Sequence, residues 1–520
     1  MAAAASLALL AGASFARAQD ALPRDFDDYA ARALKVFDVP GMAIAVVKDG
    51  RIAVARGYGV RELGKAPRVD ADTLFGIGSN TKAFTSARLA MLVDEGKIAW
   101  DDPVIRWLPD FQMSDPWVTR QITIRDLLAH RSGLGPGQGD LMSFPPTNFS
   151  RDEIVRKLRF LSPVASFRSR FTYNNSLYLV AGEVIRAVTG RTWDEELKER
   201  LFAPLGMTES GTRITDLRSR EDVAIPHARV EGAVKAVGYF DLGNIAPAGA
   251  VNSSATDMAK WMIALLDHGA IHSGERRLFS ERQSREMWSA QTVVPIDDPP
   301  PPLAALRPSF QAYGLGWFLR DYRGHEVVWH VGEISGMVSR VTLVPDQKLG
   351  IVVLTNQQDV GAFQAVSFRI LDACLGAPAT DWVEAFRESE AAEQEKAAAA
   401  EKEPVRARPT GSKPSRPLTE YTGLYRDAWY GDVSIREEKG ALRLSFRRTP
   451  LLAGDLEHWR DETFLVRWPD RRLNADAFVT FSRRPDGAID RMTMRAVSPS
   501  ADERLDFQDL HFVRVREIGR

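Results

Sequence analysis

The chain has 520 residues, 44% of them hydrophobic and 26% charged, a composition that fits a globular protein with room for two domains. Lys and Arg number 68 and Asp and Glu 69, for a formal net charge of -1, so no electrostatic field points to nucleic acid or an anionic membrane surface as a partner. A single cysteine, Cys374, excludes an intrachain disulfide and a multi-thiolate metal site.

Residues 2–16 are small and apolar, and Ala16-Arg17-Ala18 fits an A-x-A cleavage site. Residues 1–18 therefore read as a signal peptide, with export to the periplasm as the expectation. No later stretch has the 18 uncharged apolar residues a membrane span requires.

Phe26 to Phe37 has helical spacing. Met42 to Val47 and Ile52 to Ala55 are apolar β-type runs joined at Lys48-Asp49-Gly50, which predicts a hairpin. Residues 75–95 predict a helical segment opening with Gly76-Ile77-Gly78-Ser79, and helical patterns continue to about residue 210. Strands return at Val327-Val328-Trp329, Val338 to Val344 and Ile351 to Leu354. Strands from both ends thus bracket a helical middle. The fold class expected is α/β (α+β), with one antiparallel sheet flanked by helices and a helical subdomain inserted. Cys374, in the apolar run Ile370 to Leu375, reads as a small buried residue.

Residues 385–402, rich in Ala, Glu and Lys, predict a solvated helix. Residues 403–417 carry four prolines and predict a linker. From Leu418 the pattern changes to short alternating segments, as at Val433 and Ile435 or Leu442, Leu444 and Phe446, which predict a small all-β barrel or sheet. The expected division is a main domain over 19–385, a helix and linker over 386–417, and a β-rich domain over 418–520.

Three constellations carry chemistry. In Ser79-Asn80-Thr81-Lys82 the first and last residues share a helix face, so the Lys82 amine lies beside a hydroxyl that needs a base to become a nucleophile. A serine N–H at a helix start also points where an oxyanion would form. In Tyr173-Asn174-Asn175 a phenol near an ammonium can act as a base and an amide can orient substrate; a helix-capping turn before Leu177 explains the same residues. His330-Val331-Gly332 follows Val327-Val328-Trp329 and predicts a polar side chain at a strand end, with Gly332 allowing close backbone approach. His272-Ser273-Gly274 has the same spacing but falls in a polar turn. No G-x-S-x-G elbow occurs, so an α/β-hydrolase triad is not expected, and neither a metal nor a cofactor is expected.

In their order along the chain these three resemble the S-x-x-K, Y-x-N and K-T-G or H-x-G motifs of the penicillin-recognising serine hydrolases. That group includes class C β-lactamases, D-alanyl-D-alanine carboxypeptidases, D-aminopeptidases and related esterases. Leu74 to Gly78, Asp101-Asp102-Pro103, Leu127 to Leu134, Pro204 to Met207, Pro247-Ala248-Gly249, Tyr313 to Trp317 and Leu354-Thr355-Asn356 extend the resemblance over about residues 24–375. The segment from Leu418 resembles the lipocalin-like accessory domain that follows some members.

The resemblance implies that Ser79 is acylated and that Lys82 and Tyr173 share the proton traffic. Asn175 would hold the substrate amide, and His330 would assist proton transfer or bind a carboxylate. The N–H groups of Ser79 and Glu333, the residue after Gly332, would form the oxyanion hole. His130 would be structural. The function expected is hydrolysis of an ester, a D-amino-acid amide or peptide, or a β-lactam. His330 in place of lysine favours an esterase or D-stereospecific peptidase. The alternative is a binding or sensor protein without turnover. The partner expected is a small molecule or short peptide, with oligomerisation through the C-terminal domain left open.

Overall fold

A computed structural model describes residues 22–406, 412–498 and 501–515; the signal-peptide reading of residues 1–18 lies outside them. The chain divides into two compact units. The first runs as far as Asp102 and adds Thr123–His130 and Ala181–Glu390. The second comprises Pro103–Ile122, Arg131–Val180 and the chain from Ala391.

The first unit is built on an eight-stranded sheet. Its strands are β1 (Gly41–Lys48) and β2 (Arg51–Gly59) from the start of the chain, then β3 (Thr292–Val293), β4 (Gln311–Tyr313), β5 (Phe318–Tyr322), β6 (His325–Ile334), β7 (Met337–Val344) and β8 (Leu349–Thr355). The order is β2-β1-β8-β7-β6-β5-β4-β3, so β1 joins the N-terminal hairpin to the strands of residues 292–355 by pairing antiparallel with β8. Asp49 and Gly50 close the β1–β2 hairpin, both with positive φ, the geometry that matches the twist of paired strands.

Near-continuous apolar strands need cover on both faces. Phe26, Tyr29 and Ala33 of α1 (Phe26–Val36) join Ile44, Val46, Ile351 and Val353 in one core. Residues of two later helices, Val360–Cys374 and Trp382–Arg406, complete it. The other face receives the helix Ala255–Leu266, whose Met262 lies against Gly350. Phe84, in α2 (Thr81–Asp94), stacks on Trp261 at 4.5 Å between ring centroids.

Three boundaries differ from expectation. The segment 75–95 is not helical throughout: Phe75 and Gly76 pair with Ser253 and Asn252, Gly78–Asn80 is a 3-10 turn, and α2 starts at Thr81. His330 is not at a strand end, because β6 runs on to Ile334, with Gly332 opposite Ser339 and Glu333 opposite Val338; the chain turns only at Gly336, whose φ is +81°. The helix Trp382–Arg406 runs past the expected end at residue 402 and includes Pro404.

In the second unit eight strands close an up-and-down barrel: β9 (Gly423–Asp427), β10 (Gly431–Glu438), β11 (Ala441–Phe446), β12 (Ala453–Arg460), β13 (Thr463–Val466), β14 (Ala477–Arg483), β15 (Ile489–Ala496) and β16 (His511–Arg514). Pairing of Tyr425 with Arg514 closes it, which leaves no free sheet edge. Aromatic rings fill the interior: Phe446 packs on Tyr430, Trp468, Phe507 and Phe512, and Tyr421 packs on Phe464 and Phe481.

Candidate active site

Ser79 sits in the 3-10 turn that leads into α2, and Lys82 one turn later is fully buried. The i, i+3 relation survives the later helix start, since 3-10 geometry also brings residues three apart onto one side. Lys82 Nζ donates to Ser79 Oγ at 2.8 Å and to the Ala248 carbonyl at 3.0 Å. The Pro247-Ala248-Gly249 segment is itself braced on α2: Thr85 Oγ1 donates to the Pro247 carbonyl at 2.8 Å, and Thr81 Oγ1 accepts from Val251 N at 3.0 Å.

Two glycines bring the serine turn onto β6. A Cβ at Gly78 would lie 2.5 Å from Glu333 N, and one at Gly332 would lie 1.7 Å from the Ile77 carbonyl oxygen. Neither position has room for a side chain, and Gly78 also has φ +51°. Ser339 Oγ ties the seam by donating to the Ile77 carbonyl at 2.9 Å. Asn80 adds a second tie when its amide nitrogen faces the His330 carbonyl at 3.0 Å and its oxygen faces Gly332 N at 3.2 Å. The backbone of Glu333 therefore lies against the turn that carries Ser79. The Glu333 carboxylate is exposed and accepts from Gln358 Nε2 at 2.8 Å.

His330 is buried, with its ring nitrogens held on two sides. Nδ1 faces the Val331 carbonyl at 2.5 Å and Nε2 faces the Tyr313 hydroxyl at 3.0 Å. A carbonyl only accepts, so Nδ1 carries the proton and Nε2 accepts from Tyr313. Burial, and then the positive charge of Lys82, push its pKa down to about 3, against the opposing pull of the Val331 carbonyl. His330 is a neutral imidazole. His130 packs on Tyr313 with ring centroids 4.6 Å apart and is likewise held well below the usual histidine range by burial, Lys82 and His330.

Tyr173 and Asn175 belong to the second unit. They precede α3 (Ser176–Thr189), and Tyr178 N donates back to the Asn175 carbonyl at 3.0 Å. The residue between them fastens the segment: Asn174 Nδ2 donates to the carbonyls of Gln138 at 2.9 Å and Gly135 at 3.2 Å. Asn175 Nδ2 donates to Asp140 Oδ2 at 2.7 Å. Sequence reasoning did not single out Asn174, Asp140, Tyr313 or the Ala248 carbonyl. Tyr313 and Ala248 lie in segments that carried the family resemblance, whereas Asp140 lies in none of them.

The rival positions lie elsewhere. His272 begins a 3-10 turn, as its polar setting predicts. Cys374 is half-buried rather than fully enclosed, and burial pushes its thiol pKa up to about 11, so it carries little thiolate at neutral pH. Among the described residues no group of three or more His, Cys, Asp or Glu side chains is placed to hold a metal ion, and no helix is long and apolar enough to cross a membrane.

A buried lysine on a serine hydroxyl, beside a strand whose backbone meets the serine turn, defines a serine hydrolase of the β-lactamase and penicillin-binding-protein type. Residues 26–374 match the Beta-lactamase family, and the chain belongs to it. Residues 407–514 match a domain of unknown function, DUF3471. The unguisins hydrolase ungD' of Aspergillus campestris is 31% identical over 518 residues, covering 95% of this chain and 93% of that protein. Penicillin-binding protein 4 of Amycolatopsis lactamdurans is 30% identical over 341 residues, covering 64% and 85%. Among solved structures, the octameric penicillin-binding protein homologue from Pyrococcus abyssi aligns with a TM-score of 0.59 at 19% identity over 94% of this chain and 99% of that one. SurE aligns with 0.54 at 21% identity over 94% and 98%. These two likenesses share the fold.

Proposed function

We propose that the chain hydrolyses esters or amides of D-amino acids through an acyl-enzyme on Ser79. The observation that carries this reading is the 2.8 Å contact from Lys82 Nζ to Ser79 Oγ at a turn lying against the Glu333 backbone. Lys82 and Tyr173 share the proton transfers, Asn175 holds the substrate amide, and the N–H groups of Ser79 and Glu333 receive the oxyanion.

Charge around the serine supports the substrate class. A β-lactam or a C-terminal D-alanine brings a carboxylate that needs a cation. His330 stays neutral, and the nearest strand residue after Gly332 is the anionic Glu333. A neutral ester, or an acyl group carrying an ammonium, suits that setting better. The Aspergillus campestris relative is named as a hydrolase, and a structure of SurE contains D-Leu, both in keeping with this reading. Export to the periplasm is proposed from the leader-like residues 1–18, and assembly into oligomers from the octameric Pyrococcus abyssi relative.

The test is chromogenic release from a p-nitrophenyl ester, D- and L-alanine p-nitroanilide and a cephalosporin, with wild type and Ser79→Ala side by side. Serine-dependent release from the ester and the D-anilide is expected. Preference for the cephalosporin would overturn the substrate class, and binding of all four without release would favour the sensor alternative.

A further inference from the structure

The second unit joins the barrel to the loop that holds the Tyr173-Asn174-Asn175 segment. Asp506, fully buried in the turn just before β16, accepts from the backbone N–H of Gly139 through Oδ2 at 2.8 Å. The neighbouring barrel backbone presses on the same loop, where a Cβ at Gly137 would lie 2.0 Å from the Glu503 carbonyl oxygen. The Arg504 guanidinium lies 3.9 Å above the Phe144 ring. A second clamp forms further along: Asn148 N donates to the Arg448 carbonyl at 3.0 Å, and Arg448 returns a hydrogen bond to the Asn148 carbonyl at 2.9 Å.

Gly139 has φ +85° and is followed directly by the turn Asp140–Met142. The peptide that Asp506 pins thus sets the position of the Asp140 carboxylate, which accepts from Asn175 Nδ2 at 2.7 Å. An amide has a donor end and an acceptor end, and this bond turns the donor end of Asn175 toward Asp140.

We infer that Asp506 of the barrel is a positioning residue for catalysis, acting through Gly139 and Asp140 to orient the Asn175 amide. The inference rests on the proposed role of Asn175 in holding substrate. It gives the C-terminal barrel a part in setting the Tyr173-Asn174-Asn175 segment of its own unit. The Oδ1 atom of Asp506 has no hydrogen-bond partner among the described residues, and its carboxyl is held well above the usual range, first by burial, with Asp140 and Asp509 as anionic neighbours. The bond to Gly139 needs an acceptor oxygen, which the carboxyl supplies through Oδ2.

The test is steady-state kinetics on the full chain in a double-mutant cycle, with the best substrate of the chromogenic panel. Asp506→Ala is expected to lower kcat/KM about tenfold or more in the wild-type background and less than about twofold in an Asn175→Ala background. Asp506→Asn, which keeps the acceptor, is expected to restore kcat/KM to within about twofold. Asp506→Ser keeps a polar group without the reach to Gly139 and gives the same comparison should Asp506→Ala fail to fold. Equal losses in both backgrounds, or failure of Asp506→Asn to restore activity, would overturn the positioning role while leaving Asn175 in place. Full activity in Asn175→Ala alone would overturn the role of Asn175, and this inference with it.

Discussion

Lys82 Nζ and Ser79 Oγ lie 2.8 Å apart, and the same nitrogen is anchored at 3.0 Å to the Ala248 carbonyl. The lysine is fully buried, so its direction is set by the fold and not by solvent-driven rotation. In the proposed role Lys82 takes the Ser79 proton as a neutral amine, and a base at hydrogen-bond distance typically contributes 10²- to 10⁴-fold in rate. Lys82→Met keeps the length of the side chain and removes these hydrogen bonds. The expected result is a loss of about 10²- to 10⁴-fold in kcat/KM with an unchanged circular-dichroism spectrum. A loss under tenfold would take Lys82 off the proton path.

The seam between the serine turn and β6 tolerates no side chain at Gly332, where a Cβ would lie 1.7 Å from the Ile77 oxygen. Gly332→Ala must push the two backbones apart, and overpacking of this kind costs about 1–3 kcal/mol. Because the displaced backbone carries Glu333 N, kcat should fall by about tenfold or more, in line with the loss of an oxyanion donor. Thermal melts and single-turnover rates measure the two effects separately.

Much of this arrangement is legible in the sequence because it is local. Asp49-Gly50 dictates the first hairpin, the alternation of Leu442, Leu444 and Phe446 dictates a barrel strand, and the spacing from Ser79 to Lys82 places amine and hydroxyl together. What the sequence hides is non-local. Gly139 and Asp506 are 367 positions apart, and neither carries a motif. His330 was expected at a strand end because the apolar β-type run stops at Trp329, yet cross-strand pairing, with Gly332 opposite Ser339, carries the strand on to Ile334. The neutrality of His330 follows from burial beside Lys82, which no local pattern encodes.

Three buried histidines make stability depend on pH. His130, His227 and His330 all have lowered pKa values, in each case first through burial, and that of His330 falls to about 3. Unfolding exposes them, and an exposed histidine takes up a proton below about pH 6.5. The unfolded chain thus binds more protons than the folded one below that pH. Their contribution is fully present above about pH 6.5 and is lost progressively as pH falls, for His330 down to about pH 3, at up to about 1.4 kcal/mol per pH unit for each histidine. Urea midpoints measured between pH 4 and 8 should rise with pH, and His330→Asn should flatten the slope. A midpoint independent of pH would contradict the neutral, buried assignment.

The Tyr313 hydroxyl satisfies His330 Nε2 at 3.0 Å. Tyr313→Phe removes the donor and leaves a buried acceptor, a loss of about 1–3 kcal/mol. Urea unfolding of the variant should show that destabilisation. Unchanged stability would mean that the pair is not formed in solution.

The most direct test of the central claim is intact-protein mass spectrometry after rapid quenching with the preferred ester or amide, followed by peptide mapping. The account predicts a mass increase equal to the acyl group, located on the peptide containing Ser79, decaying at the rate of turnover and absent from Ser79→Ala. Undiminished turnover in Ser79→Ala, or an acyl group mapped to another residue, would contradict it.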